Sequence, residues 1–186
     1  MRKGVEELSE VEIIERYIIL LLGVVNRPIP SLIHLEKELF ILSKANPVIS
    51  NFITFIKHHY GPYSDDVRDV VENPVYYPGA YEYDGRKIYL TKKGQQIYND
   101  LIKKYSANPK FKELIGILKM IRELYEKLSI EELLFLIYIT YPEYQEQSRI
   151  SKKLLSKEKR SQIAYRLYKK GVITESRYRE VVGDVE

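Results

Sequence analysis

Apolar residues recur along this chain mostly at spacings of three and four, the period of a helix lying against a core. Ser9 is followed by Glu12 in the order of a capping box. Beyond it Ile13, Ile14, Tyr17, Ile18, Leu21 and Leu22 form a wide apolar face, which predicts a helix over about 10–25. Arg27-Pro28-Ile29-Pro30 reads as a rigid turn. Ser31 then caps a second helix reaching about Lys44, with Leu32, Leu35, Leu39, Phe40 and Leu42 apolar, and Asn46-Pro47 ends it. The stretch 48–60 fits two periods. Ile49, Phe52, Ile53 and Ile56 have helical spacing, whereas Phe52, Thr54, Ile56 and His58 alternate as in a strand. The expectation is a short helix and then an extended piece.

That piece enters Tyr60-Gly61-Pro62-Tyr63-Ser64, where a turn is expected. Gly61 tolerates a positive φ, and Pro62 fixes its own φ and lacks an N–H. Ser64 is placed to cap a short helix that carries Asp65 and Asp66 in its first turn and Val67, Val70 and Val71 on one face. Asn73-Pro74 stops it. A hairpin follows: Tyr81-Glu82-Tyr83, a turn at Asp84-Gly85, and Lys87-Ile88-Tyr89-Leu90. A helix over 92–105 closes this half. Helix, hairpin and return helix together form the second half of a winged helix-turn-helix.

Ser106-Ala107-Asn108-Pro109 marks the expected domain boundary. The fold class is therefore mostly α with a small β-hairpin: a winged helix-turn-helix domain over 1–105 and an all-helical extension over 106–186. In the extension Phe111, Leu114, Leu118, Ile121, Tyr125 and Leu128 make an a/d seam. It fits packing within the chain, the reading favoured here, or a homodimer through the 111–128 helix. Ser129 and Glu132 form a second capping box before the strongly apolar 133–141 segment. Helical signal resumes over 150–170, Gly171 has the place of a C′ residue, and Thr174 caps a last helix.

Charge changes this picture in one place. Residues 1–105 carry 14 Lys/Arg and 14 Asp/Glu, and residues 106–186 carry 16 and 12. The segment 149–179 alone has 11 basic against 2 acidic side chains. Such an excess attracts polyanions, or else it is a solvated helix face. The absence of cysteine excludes disulfides, thiolate catalysis and cysteine-held zinc. The apolar run 17–25 is too short to span a bilayer, and Glu6, Glu7, Glu10, Glu12 and Glu15 before it are unlike a signal leader. A cytoplasmic protein with no membrane partner is expected. Abundant Ile, Lys and Glu resemble a hyperthermophile composition.

Leu35-Glu36-Lys37-Glu38-Leu39-Phe40, followed downstream by Tyr60-Gly61-Pro62-Tyr63-Ser64, resembles two related groups. One is a set of uncharacterised archaeal and bacterial winged-helix proteins with an L-Q-K-x-x-F helix and a Y-G-P-Y-S turn. The other is the Panacea domain of antitoxin-type proteins. Glu36 stands where the pattern has Gln. The similarity covers about residues 10–105, and the tail, with Tyr138–Tyr144, loosely. It implies a winged-helix scaffold linked to regulation or toxin neutralisation and brings no catalytic residue.

Two functions follow as expectations. The first is a nucleic-acid-associated, DNA-binding transcription regulator. In a helix-turn-helix the second helix reads the major groove, yet here 65–73 carries Asp65, Asp66, Asp69 and Glu72 against Arg68 alone. Carboxylates facing phosphates repel them, so the expected grip lies elsewhere. It falls on Arg86, Lys87, Lys92 and Lys93 at the wing, and on Arg149, Lys152, Lys153, Lys157, Lys159, Arg160, Arg166, Lys169 and Lys170, through backbone contacts. Tyr165 and Tyr168, at helical spacing, are expected in the core rather than as stacking platforms. The second function is an antitoxin-like or adaptor module whose protein partner meets Tyr60, Tyr63, Tyr81 and Tyr83. The alternative is that these tyrosines fill a small core. No enzyme, cofactor or metal is expected: His58 and His59 would diverge on a strand, and phosphate-loop, nucleophile-elbow and zinc motifs are absent.

Overall fold

A computed structural model describes residues 8–183; Glu6 and Glu7 of the acidic lead-in lie outside them. Among the described residues the protein is mostly helical, with two antiparallel strand pairs. Its contacts gather it into two units. One takes the chain up to Thr54 together with Ser64–Glu126, and the other takes Phe55–Tyr63 and the chain from Lys127. The expected boundary near residue 105 is instead a joint inside the first unit, because the helix beyond it packs there.

In the first unit α1 (Glu10–Gly23) is central. Ile14, Ile18, Ile19, Leu21 and Leu22 are buried, each worth about 1.5–3 kcal/mol over exposure. The Ser9 hydroxyl accepts from the Glu12 N–H at 3.1 Å. The Glu12 carboxylate binds Arg16 and the Tyr77 hydroxyl at 2.8 and 3.1 Å. Ser31 caps α2 (Leu32–Ala45), and Asn46 leads into a short 3-10 helix, Pro47–Asn51. The chain then leaves for the second unit as strands β1 (Ile56–His58) and β2 (Gly61–Tyr63). It rejoins the first at α3 (Asp65–Glu72), which buries Val67, Val70 and Val71 as expected. Ser64 stands at its N-cap, but its buried hydroxyl makes no capping hydrogen bond.

The expected hairpin is present. Strand β3 (Tyr81–Tyr83) pairs with β4 (Ile88–Leu90), Tyr83 opposite Ile88. Asp84 holds the turn by accepting from the Arg86 and Lys87 N–H groups at 2.8 and 2.6 Å. These bonds keep its carboxyl below the usual range. Then α4 (Lys92–Tyr105) begins so close to the hairpin that a Cβ on Gly94 would lie 1.9 Å from the Ala80 carbonyl oxygen.

Helix α5 (Pro109–Tyr125) packs against α1 and α2, with Leu118 and Ile121 buried. The middle of the a/d seam is thus consumed within the chain, as the favoured reading expects, and is closed to a homodimer. Phe111 and Leu114 stay half-buried, lining an open apolar cleft of about 240 Å³ with Ile13, Tyr17 and Leu101.

The second unit opens with the pair that the 48–60 pattern left unresolved. Strands β1 and β2 meet across a His59-Tyr60 turn, and Gly61 takes the expected positive φ, 78°. His59 has already left the strand, so the His58 and His59 rings tilt towards each other at 4.9 Å instead of diverging. This pair of strands is tied to the segment after α6 (Ile130–Thr140): Lys57 pairs with Glu146 at 2.6 Å, and the His59 carbonyl accepts from the Arg149 N–H. The Ser129–Glu132 capping box is complete, and Leu133, Leu134, Phe135, Ile137 and Tyr138 are buried. The single helix expected over 150–170 is broken at Leu155-Ser156 into α7 (Ser151–Leu154) and α8 (Lys157–Lys169). Gly171 ends α8, its N–H bonding the Tyr168 carbonyl, before α9 (Glu175–Gly183).

Candidate nucleic-acid interface

The basic segment resolves into two kinds of cation. Arg166 and Lys170 reach across to Glu132, with ion pairs of 3.2 and 2.7 Å, and Lys170 also donates to the Lys127 carbonyl. Burial pushes the Glu132 carboxyl up, but Lys170 and the Ser129 N–H together hold it below its usual range. Arg160 donates to the Val181 carbonyl and so fixes α9. Arg177 binds Glu180 and the Ile139 carbonyl, and Arg179 binds Glu175. Arg160, Arg166 and Lys170, expected to grip phosphates, therefore hold the unit together: each sits where α8 faces α6 or α9.

Arg149, Lys152, Lys153, Lys157 and Lys159 are different. Among the described residues none of these side chains donates a hydrogen bond or meets a carboxylate, and all but the half-buried Lys159 are exposed. They lie on α7, on the first turn of α8 and just before them, where Ser156 turns its hydroxyl back to the Lys153 carbonyl at 2.9 Å. Glu158 is the acid nearest in sequence, and it accepts from Gln162.

Tyr165 departs from expectation. It is 47% exposed, not core. Ile163, Ala164 and Leu167 carry the buried stripe of α8, and Tyr165 stands about 200° round the helix from Ile163. Tyr178 meets its ring edge-on at 6.2 Å and itself stacks on Tyr168 at 5.5 Å. The Lys169 ammonium lies 5.4 and 5.9 Å from the Tyr165 and Tyr168 ring centres. The off-stripe position was a signal present in the sequence.

In the first unit Arg86 and Lys92 are exposed and Lys87 is half-buried, and none makes an ion pair among the described residues. Lys93 donates to the Pro78 carbonyl at 2.6 Å. Asp65, Asp66, Asp69 and Glu72 all face solvent along α3, with Arg68 bound to Glu72 at 3.2 Å.

The tyrosines expected to receive a protein partner divide. Tyr81 is buried and donates to the Val70 carbonyl at 2.9 Å, so it is core. Tyr83 donates to the Gly85 carbonyl of its own turn. Tyr63 stacks on His58 at 4.7 Å, and Tyr60 is 46% exposed. Tyr60 and Tyr63 belong to one unit and Tyr81 and Tyr83 to the other.

Sequence reasoning missed a set of buried charges. Arg122, fully buried, donates to both oxygens of Glu38 at 3.0 and 3.3 Å and to the Arg27 and Pro28 carbonyls at 3.1 and 3.0 Å. Burial pushes the Glu38 carboxyl up to about 7 against the pull of Arg122. Glu36 and Lys37 pair at 3.1 Å beside it, with burial raising the first and lowering the second. Glu36, Lys37 and Glu38 are thus all buried and all ion-paired within the first unit. Glu15 accepts the Val75, Tyr76 and Tyr77 N–H groups at 2.7, 3.0 and 2.6 Å. Arg122 lies 84 residues from Glu38, and Glu15 lies 60 from Val75, separations that sequence periodicity does not register. Among the described residues no three His, Asp or Glu side chains converge as a metal site, and no helix is long and apolar enough to cross a membrane. No protein-family model matches the chain, and no curated protein matches it.

Proposed function

We propose that this chain is a nucleic-acid-associated regulatory protein that holds the phosphate backbone with the α7–α8 surface of its second unit. One observation carries the reading: among the described residues Arg149, Lys152, Lys153, Lys157 and Lys159 are left without carboxylates, while Arg166, Lys170, Arg177 and Arg179 nearby in sequence are all paired. Cations without a carboxylate, close together in sequence, release counterions when they meet phosphates, a gain that a paired cation has already spent. Arg86, Lys87 and Lys92 are further candidate contacts. We take the first unit as a winged-helix scaffold, supported by the order α2, α3, hairpin β3–β4, α4, with its α3 turned from the usual groove-reading role by four exposed carboxylates.

Those carboxylates favour a second reading, an antitoxin-like or adaptor module that docks a basic protein along α3, in line with the family resemblance. Anisotropy titrations with labelled oligonucleotides separate the two. On a single-stranded oligonucleotide, if each of the five cations meets one phosphate, log affinity falls against log salt with a slope of about −3.5, or about 130-fold between about 50 and 200 mM. Replacing Lys152, Lys153 and Lys157 by Gln leaves a slope of about −1.4, about 7-fold over the same range. Absence of binding in low salt, or a slope untouched by the triple substitution, overturns the nucleic-acid reading.

A further inference from the structure

We propose that the nucleic acid this surface takes is single-stranded, with an unpaired base stacking on Tyr165. The inference rests on the nucleic-acid reading above and adds the ligand's form. Tyr165 lies on the same helix as Lys157, eight residues on, about 12 Å along the axis. Its ring is exposed, yet it is not loose: the Tyr178 ring meets it at 62° between planes, Tyr178 is itself stacked on Tyr168, and Lys169 sits over both helix tyrosines. A ring fixed in this way loses little freedom when a base lies on it. Lys169 adds a cation 5.4 Å from the centre of that ring.

The form of the ligand follows from where π-faces are available. Inside a duplex each base face is covered by its neighbours, and an aromatic side chain on a helix surface finds only backbone. A single strand offers base faces and phosphates in alternation, which suits an aromatic ring flanked by cations. The exposed carboxylates of α3 point the same way. The helix that would enter a duplex groove in this scaffold repels the two phosphate rows that border it.

The test uses the full chain and four labelled probes of one length, about 16 nucleotides: single-stranded DNA, single-stranded RNA, duplex DNA, and a single strand whose central nucleotides are abasic. The intact strands are expected to bind more tightly than the duplex at equal salt, and the abasic strand about tenfold more weakly than its intact parent. Tyr165→Leu is expected to erase the intact-to-abasic difference while keeping the salt slope, and Tyr165→Phe to preserve it. Circular dichroism confirms that the variants fold. Duplex binding as tight as single-strand binding, or equal affinity of Tyr165→Leu and the parent for intact strands, overturns the stacking proposal. If either occurs while the Lys152, Lys153 and Lys157 substitutions still flatten the slope, the backbone-binding function stands without it. If no probe binds in low salt, both fall together.

Discussion

Replacing Arg122 by Met deletes a guanidinium and keeps most of its aliphatic length, which isolates the charge network of the first unit. The guanidinium supplies hydrogen bonds to both Glu38 oxygens and to the carbonyls of Arg27 and Pro28, and pairs with Glu126 at 3.1 Å. Without it Glu38 is a fully buried carboxyl facing no cation. Burial already pushes that carboxyl up to about 7; losing Arg122 removes what pulls it down, so it takes up a proton near neutrality. Its share of the damage is then that of an unpaired buried polar group, about 1–3 kcal/mol. The two abandoned turn carbonyls add about 1 kcal/mol each. The sum agrees with the roughly 3–5 kcal/mol usual for removing one partner of a buried pair.

At about 2–4 °C per kcal/mol for a chain of this size, the far-UV circular dichroism melting midpoint should fall by about 6–20 °C. The double variant Arg122→Met with Glu38→Leu should recover the Glu38 share, about 1–3 kcal/mol, because an apolar pair of similar volume carries no desolvation cost, while the Arg27 and Pro28 carbonyls stay without their donor. A fall of less than about 1 kcal/mol in the single variant, or a double variant no better than the single, would refute the reading of Arg122 as the keystone of α2, α5 and the turn between α1 and α2.

Three further outcomes are expected. Glu15→Ala leaves the Val75, Tyr76 and Tyr77 N–H groups without their acceptor and costs about 3 kcal/mol; hydrogen exchange at those three amides should quicken more than elsewhere in the unit. Gly94→Ala drives a Cβ into the Ala80 carbonyl and costs about 1–3 kcal/mol or more as α4 and the hairpin separate, read as a lower denaturation midpoint. Between pH 4.5 and about 7 the folded chain keeps a proton on Glu38 that the unfolded chain has lost. Stability therefore falls as pH rises through that window, by at most about 1.4 kcal/mol for each pH unit crossed, and Glu36, also raised by burial, adds to the slope. Melting midpoints measured across the window should show this slope, reduced in Glu38→Gln.

Much of the architecture was local and so could be read directly. Caps at Ser9, Ser31, Ser129 and Thr174, the Asp84-Gly85 turn and the positive φ of Gly61 each depend on a few neighbouring residues, and the structure has them. What failed lay beyond that range. Ser64 has the residue type of a cap, yet its surroundings bury the hydroxyl without using it. The 150–170 periodicity ran on through Leu155-Ser156, where the helix breaks.

The candidate site divides along the same line. The amino-acid sequence by itself determined that cations accumulate over 149–179, since charge is a property of composition; it also held the helical angle that sets Tyr165 off the stripe of Ile163, Ala164 and Leu167, although helical spacing alone assigns Tyr165 to the core. Only the tertiary structure decided which of those cations are already spent. Glu132 lies 34 residues before Arg166 and 38 before Lys170 and meets both; Glu38 lies 84 residues before Arg122. An ion pair depends on distance in space, falling off over a few ångströms, and the chain's order carries no such distance until the helices have packed.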